Sequence, residues 1–350
     1  MSARPANRPA RRRMKTSVSV ILPVHNGERY LEHALTSVLV QTRAVAEIII
    51  IDDGSTDGSM DVVRRFADNG LVRFVLLTMP GVGQSAARNE GARHASSDYL
   101  AFIDQDDVWL AGHVEALASR LDDEDTRAMV YSDVNTIDAE GGMLMLRLNA
   151  LAGNAHPKSS ILDIITDDVM ALPSATLVRR DAFIAMGGFD EALQGYEDDD
   201  LYLRGFRAGW NPAFVSEARV NYRIHGSGSS MSPSFRASRL TYTEKVAQAF
   251  PDNPRTRTFF VRDVLIPRMR RGFMMDYATA LAVRDYATAR AIARDLRTLL
   301  KSTTGRARAR LSLKSRTGLW LLDHPQLARI VLRSRPSIVR GGAIPAELRF

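Results

Sequence analysis

Four apolar runs, each followed by a stretch of helical spacing, recur in the first hundred or so residues. The runs are 17–24, 48–51, 71–77 and 99–103. Apart from Ser17-Val18-Ser19-Val20 at the start of the first, they do not alternate apolar with polar residues, which is the pattern of strands covered on both faces, as in parallel sheets. Between the first two, Leu31, Leu35, Val38 and Leu39 fall on one side of a helix over 28–40. The same reading gives helices over 59–67 and 84–95. Strand and helix in strict alternation predict parallel βαβ units, hence an α/β fold with a Rossmann-like, mostly parallel central sheet flanked by helices.

The fourth run ends in Asp104-Gln105-Asp106-Asp107. On an extended chain Asp104 and Asp106 share a side. Carboxylates crowded where a buried strand ends repel one another unless a cation or protons offset the charge, and a hard divalent ion is the simplest partner. The alternative is an acidic loop capping the next helix, with Asp107 as the cap. In open α/β sheets ligands bind beyond the carboxyl ends of the strands, where these acids fall.

Charge is distributed unevenly. Of a formal +7, residues 1–15 hold +6 and residues 251–350 hold +14, which leaves −13 for the middle. An acidic body argues against nucleic acid as its partner, and a phosphorylated ligand there would need a metal to reverse the field. The chain has no cysteine, so disulfides and thiolate metal sites are excluded, in keeping with a cytoplasmic location. No apolar run reaches the ~18–20 residues of a membrane span. Residues 1–15 read as a disordered basic arm rather than a leader, because the apolar run that follows Arg11-Arg12-Arg13 is short and broken by Pro23 and Asn26. Met14 offers an alternative start.

Further along, a helix near 111–121, strands near 128–133 and 175–178, a helix from about Asp198 and a last strand at 221–224 are expected. A Gly/Ser-rich loop over 226–234 follows, and the chain is helical and basic from about 236. Asp-Tyr-Ala-Thr-Ala at 276–280 and again at 285–289 suggests a helical hairpin. Three parts result: the arm 1–15, a catalytic-type domain over 16–235 and a basic helical region over 236–350.

Four motifs in order now carry a resemblance. They are the run ending Pro23-Val24-His25-Asn26 with Glu28, and Ile-Ile-Ile-Ile-Asp-Asp-Gly-Ser at 48–55. After them come Phe-Ile-Asp-Gln-Asp-Asp at 102–107, and Gly-Gly-Phe-Asp-Glu at 187–191 with Tyr-Glu-Asp-Asp-Asp at 196–200. Over about 17–230 the chain resembles a family 2 glycosyltransferase of the GT-A fold. The resemblance implies an inverting, metal-dependent transfer of the hexosyltransferase type. The sugar would pass from a nucleoside-diphosphate sugar, UDP- or dTDP-linked, to a hydroxyl of a glycan or lipid-linked acceptor in polysaccharide or cell-envelope synthesis.

It implies a nucleotide-sugar site from Pro23, His25, Asn26, Glu28, Asp53, Arg88, Asp104 and Gln105, with Asp53 accepting the N3–H of the base. Asp106, joined by His225, would hold Mg²⁺ or Mn²⁺. Asp198 would be the general base and Glu197 its orienting neighbour. Each residue also has a plainer reading. Asp52 to Asp57 can be an Asx turn and helix cap. Gly83 and Asn89 can serve packing, the acids at 197–200 can favour a helix N-terminus, and Trp109, Trp210 and Tyr196 can be core rather than sugar platforms. Two other functions compete: a sugar nucleotidyltransferase, which normally has a glycine-rich, basic first loop, and a non-catalytic nucleotide or sugar binder.

The C-terminal region also raises a membrane question. A basic cluster, Arg306, Arg308, Arg310, Lys314 and Arg316, precedes apolar positions at 319–322, Leu327 and 330–332. Such a segment suits peripheral contact with an anionic membrane. Packing of the same apolar face against the 276–300 hairpin is the alternative.

Overall fold

The computed structural model describes residues 16–333 except 69, 125, 154, 227, 229–231, 302–319 and 321. The basic arm 1–15 and the cluster Arg306–Arg316 therefore lie outside the described residues. Spatially the chain forms two compact units. The first holds the described residues up to Pro157 with Met170–Phe189 and Arg204–Ile224, and the second holds Lys158–Val169, Asp190–Leu203 and the described residues from His225 onward.

In the first unit the elements run β1 (Val18–Val24), α1 (Glu28–Leu39), β2 (Glu47–Asp52), α2 (Ser59–Ala67), β3 (Arg73–Thr78), α3 (Gln84–His94) and β4 (Tyr99–Phe102). This is the predicted alternation. After it come β5 (Val108–Trp109), α4 (His113–Asp122), β6 (Met129–Ile137), β7 (Met143–Met145) and α5 (Leu148–Ala152). One sheet takes the order β3-β2-β1-β4, parallel throughout, and continues through β8 (Thr176–Arg179), β6, β9 (Ala213–Arg223) and β5. The join at β4–β8 is antiparallel, and β7 pairs with β6 off the main path.

Period-2 alternation divides each parallel strand between two apolar layers. Val20, Leu22, Ile48, Ile50 and Ala101 pack with Leu31, Leu35 and Val38 of α1 and with Leu117 and Leu121 of α4. On the other face, Phe102 meets Phe183 and Phe189 at ring separations of 5.4 and 5.2 Å. There α3 comes so close that a Cβ on Gly91 would stand 2.7 Å from both Ile21 Cγ2 and Ile51 Cδ1. Gly91→Ala should therefore destabilise the protein by about 1–3 kcal/mol through overpacking, despite alanine's better helix propensity. Thermal unfolding checks this, and an unchanged or higher Tm would refute it.

Two expectations need correction. The last strand spans Ala213–Arg223, not 221–224. Its register against β6 shifts at Ser132/Asp133 and Asp133/Val134, and these bulges break the alternation by which a strand is recognised. Residues 104–107 are not extended. The Asp107 N–H donates to the Asp104 carbonyl at 3.1 Å and closes a turn straight after β4.

The second unit includes α6 (Ile161–Thr166), the start of α8 (Glu197–Arg207), α9 (Pro233–Ala249), α10 (Ile266–Ala282), α11 (Tyr286–Lys301) and α12 (Pro325–Arg333); α7 (Arg180–Ala185) belongs to the first. α10 and α11 form the expected helical hairpin, with Phe273, Tyr277, Leu281, Ile292 and Leu296 buried. On the described C-terminal segment, Pro325 and Ala328 are buried, and the Tyr277 hydroxyl donates to the Leu322 carbonyl at 2.9 Å. Trp320 and Leu327 remain exposed. Among the described residues no helix is long and apolar enough to cross a membrane.

Candidate active site

The sheet register brings three strand ends to one edge. Val24 lies opposite Asp52, and Ile21 opposite Phe102, so the turns after β1, β2 and β4 open side by side. The first two are tied together. His25 Nδ1 meets the Asp53 carbonyl at 2.8 Å, and Asn26 Oδ1 accepts the Thr56 N–H at 2.8 Å. Asn26 itself takes a left-handed φ of 51°. Glu28 Oε2 accepts the Gly58 N–H at 3.0 Å, and the Glu28 N–H donates to Asp57 Oδ2 at 3.1 Å. Pro23, within β1, sits opposite Ile51.

The third turn is held by Gln105. Its Oε1 accepts the His25 N–H at 2.8 Å, and its Nε2 donates to the His25 carbonyl at 3.0 Å. A Cβ on Gly27 would lie 2.3 Å from Gln105 Oε1, so glycine is what lets the two turns meet.

Asp53 is buried and accepts three backbone N–H groups, from Gly81 at 3.0, Val82 at 2.8 and Gly83 at 2.7 Å. These bonds build the wall between β3 and α3. A carboxylate has about four lone-pair sites, so capacity for one further donor remains. Asp52 accepts the Ser55 N–H at 2.9 Å in an Asx turn, as the plainer reading has it. Asp57 likewise accepts the Ser59 N–H at 3.0 Å at the start of α2.

Asp104 receives the buried guanidinium of Arg88 on its Oδ1 at 2.5 Å and donates its own N–H to Ser174 Oγ at 3.0 Å. The same Arg88 stands 5.6 Å from the Phe189 ring. Asn89 exchanges bonds of 2.9 and 2.8 Å with the backbone of Phe189, a packing role. Trp109 is core, its Nε1 donating to the Ser174 carbonyl at 2.7 Å, and Trp210 packs over Gly205.

Asp107 does not cap a helix. α4 begins after Gly112 with no side-chain cap, and Asp107 is buried with Oδ1 accepting the Arg223 N–H at 2.9 Å. Burial, then the charges of Asp106 and Asp104, pushes its carboxyl well above the usual range. Arg223 was not anticipated. Its Nε donates to the Asp106 carbonyl at 2.8 Å and its Nη1 to the Asp138 carbonyl at 3.0 Å, while its guanidinium lies 4.7 Å from the Tyr30 ring. It fixes the backbone that presents Asp106. The only sequence signal was its position at the end of the last strand.

The acid crowding is what a cation would relieve, and carboxylate oxygens suit a hard one. Among the described residues no three His, Cys, Asp or Glu side chains converge as a metal cage.

Glu197, Asp198 and His225 belong to the second unit. Glu197 is buried and opens α8, whose first turn is acidic at all four positions, 197–200. Asp198 Oδ1 accepts the Asp199 N–H at 2.9 Å. Burial, followed by Glu197, Asp199 and Asp168, raises the Asp198 carboxyl well above the ordinary carboxylate range. Just before it, Tyr196 adopts a φ of 64°, a strained conformation for an aromatic residue. His225 follows β9, and its carbonyl accepts the Gly228 N–H at 3.1 Å.

Comparison with known proteins supplies the frame. Residues 19–185 match the family described as glycosyl transferase family 2. A glycosyltransferase of Rickettsia conorii is 28% identical over 203 residues, covering 55% of this chain and 32% of that protein. The amylovoran biosynthesis glycosyltransferase AmsB of Erwinia amylovora is 26% identical over 214 residues, covering 59% and 70%. Among solved structures, S. aureus TarS 1–349 in complex with UDP-GlcNAc has a TM-score of 0.59 at 16% identity and covers 89% of each chain. The chain spans about a third or less of the length of the first curated relatives it matches.

Proposed function

Because this chain carries a family 2 glycosyltransferase domain on a GT-A-like sheet, we propose that it transfers a hexose, with inversion, from a UDP- or dTDP-sugar to a hydroxyl of a growing glycan or lipid-linked acceptor. The observation that carries this reading is the shared edge of β1, β2 and β4, where Asp53, Asp104 and Asp106 stand on neighbouring turns and Arg88 of α3 reaches Asp104. That edge offers an acceptor for a base N–H and carboxylates for ribose and metal. AmsB, by its name, acts in amylovoran biosynthesis, which supports a glycan acceptor. The exposed Trp320 and Leu327, in a C-terminal region of strong positive charge, support peripheral contact with an anionic membrane that would present a lipid-linked one.

Asp106 would hold Mg²⁺ or Mn²⁺, which supplies Lewis-acid stabilisation of the departing diphosphate when bound. The protein's own residues do the rest. Asp53 orients the base, Asp104 the ribose, and Arg88 holds Asp104 from behind. Pro23, His25, Asn26, Glu28 and Gln105 shape and rigidify the pocket floor. Asp198, oriented by Glu197, takes the proton of the acceptor hydroxyl. The acceptor oxygen then bonds to the anomeric carbon as the carbon–phosphate-oxygen bond breaks, its electron pair leaving with the nucleoside diphosphate.

The test is a screen of UDP- and dTDP-hexoses with Mg²⁺ or Mn²⁺, following nucleotide release by a coupled assay. One donor should release nucleoside diphosphate at least ~10-fold above the rest, consistent with hydrogen-bonded specificity, and chelator should suppress it. Pyrophosphate in place of nucleoside diphosphate would establish the nucleotidyltransferase instead. Saturable donor binding with no release, with or without acceptor glycans, would establish a binder.

A further inference from the structure

The four acids that open α8 are not alike in their partners. Asp200 pairs with Lys245 of α9 at 2.6 Å, and the same ammonium reaches Asp190 at 2.5 Å. Asp199 receives Nη2 of Arg268, from the first turn of α10, while its Oδ1 accepts the Val169 N–H at 3.1 Å. Asp198, between Asp199 and Glu197, makes no ion pair among the described residues.

Arg268 is 7% exposed and both terminal nitrogens of its guanidinium are engaged: Nη1 donates to the Ile164 carbonyl at 3.0 Å, and Nη2 also reaches Asp168 at 2.8 Å. A buried guanidinium is tolerated only with such partners, and its planar fork holds them in fixed directions. It therefore joins three segments, α6, the 166–169 loop and the first turn of α8. The turn is braced a second time by α9. Tyr196 lies 5.2 Å from the Phe235 ring and 5.3 Å from that of Tyr242, and its hydroxyl accepts Arg239 Nε at 2.9 Å. A Cβ on Gly195 would strike Phe235 at 2.2 Å. The strained φ of Tyr196 is thus maintained by the helices that follow Ser232.

We propose that Arg268 is a positioning residue for glycosyl transfer, neutralising Asp199 and fixing the first turn of α8 so that Asp198 meets the acceptor without a counter-charge of its own. The helices after Ser232 are then part of the catalytic apparatus, not a neutral appendage. This rests on the assignment of Asp198 as the base.

Arg268→Gln and Arg268→Lys in the full chain test it, using the donor selected by the screen, calorimetric binding of UDP, and thermal unfolding. Arg268→Gln should lower kcat by ~10–100-fold, since small misplacement of a catalytic group has effects of that size. Donor KM and UDP affinity should stay within about twofold of wild type. Lysine should restore part of kcat, because an ammonium can still neutralise Asp199 but cannot span all three acceptors. Wild-type kcat in folded Arg268→Gln would overturn the proposal, as would a parallel loss of kcat and UDP affinity, which marks a merely structural residue. If Arg268→Gln does not fold, Asp199→Asn is read by the same two criteria. Should Asp198→Asn keep full kcat, the base assignment fails first. Should Asp198→Asn be inactive while Arg268→Gln is unaffected, only the role of Arg268 fails.

Discussion

Alanine at position 106 should abolish glycosyl transfer, a loss of ~10²–10³-fold or more, while leaving the protein folded. Asp106 lies in the turn that follows β4, half-buried, with Asp104 and the buried Asp107 in the same four residues. What orients its backbone survives the substitution: Arg223 binds the carbonyl of residue 106, and Gln105 binds the backbone of His25. The change thus removes a charge and two carboxylate oxygens while these backbone contacts remain. In a body carrying −13, a diphosphate approaching this turn meets repulsion unless a divalent ion intervenes. UDP affinity measured with and without Mg²⁺ or Mn²⁺ should accordingly lose its metal dependence in Asp106→Ala. Activity of that variant, or of wild type in excess chelator, would remove Asp106 from the role of metal ligand.

The parallel half of the sheet was legible because both of its faces are covered. Strands such as Ile48–Ile51 could then be apolar at every position, and no register had to be known to recognise them. β9 was not legible beyond its end, because bulges against β6 let Ser216, Glu217 and Arg219 interrupt its pattern. The same limit applies to the site. Asp53, Asp104 and Asp106 could be singled out because acids at strand ends stand out in the chain. Whether each faces a ligand or the protein was not visible.

Asp53 spends three acceptor positions on the 81–83 backbone, and Asp107 is a buried brace instead of a cap. The partners that decide such matters are remote in sequence: Arg223 is 116 residues from Asp107, and Arg268 is 69 from Asp199. An arginine whose partners are carbonyl oxygens leaves no trace in a motif, since any residue supplies a carbonyl. The acidic run at 197–200 has the same ambiguity in a stronger form. Four acids at a helix N-terminus satisfy the macrodipole whatever else they do. Only the assignment of Lys245 to Asp200 and Arg268 to Asp199 separates those two from Glu197 and Asp198.

Asp198→Asn should separate chemistry from binding more cleanly than any other single change. Asparagine keeps the size of the side chain and an oxygen able to accept the Asp199 N–H, the contact that Asp198 makes at 2.9 Å. It cannot take up the acceptor proton. With a general base contributing typically ~10²–10⁴-fold, kcat should fall by about 10²-fold or more, with donor KM and UDP affinity little changed. The pH dependence supplies a second signature. Burial, Glu197, Asp199 and Asp168 all favour the protonated form of Asp198, so its carboxyl titrates above the ordinary range. A base acts only when deprotonated. Activity should therefore be low at acid pH and rise with pH through this raised pKa, so that the acidic limb of the kcat profile lies above the position of an ordinary carboxylate. In Asp198→Asn the residual rate should lose that limb. Removal of negative charge from the cluster should at the same time stabilise the folded protein slightly at neutral pH, where the wild-type group must ionise against its surroundings. A collapse of donor affinity with kcat intact would make Asp198 a binding residue, and a wild-type limb persisting in the variant would place the base on another group.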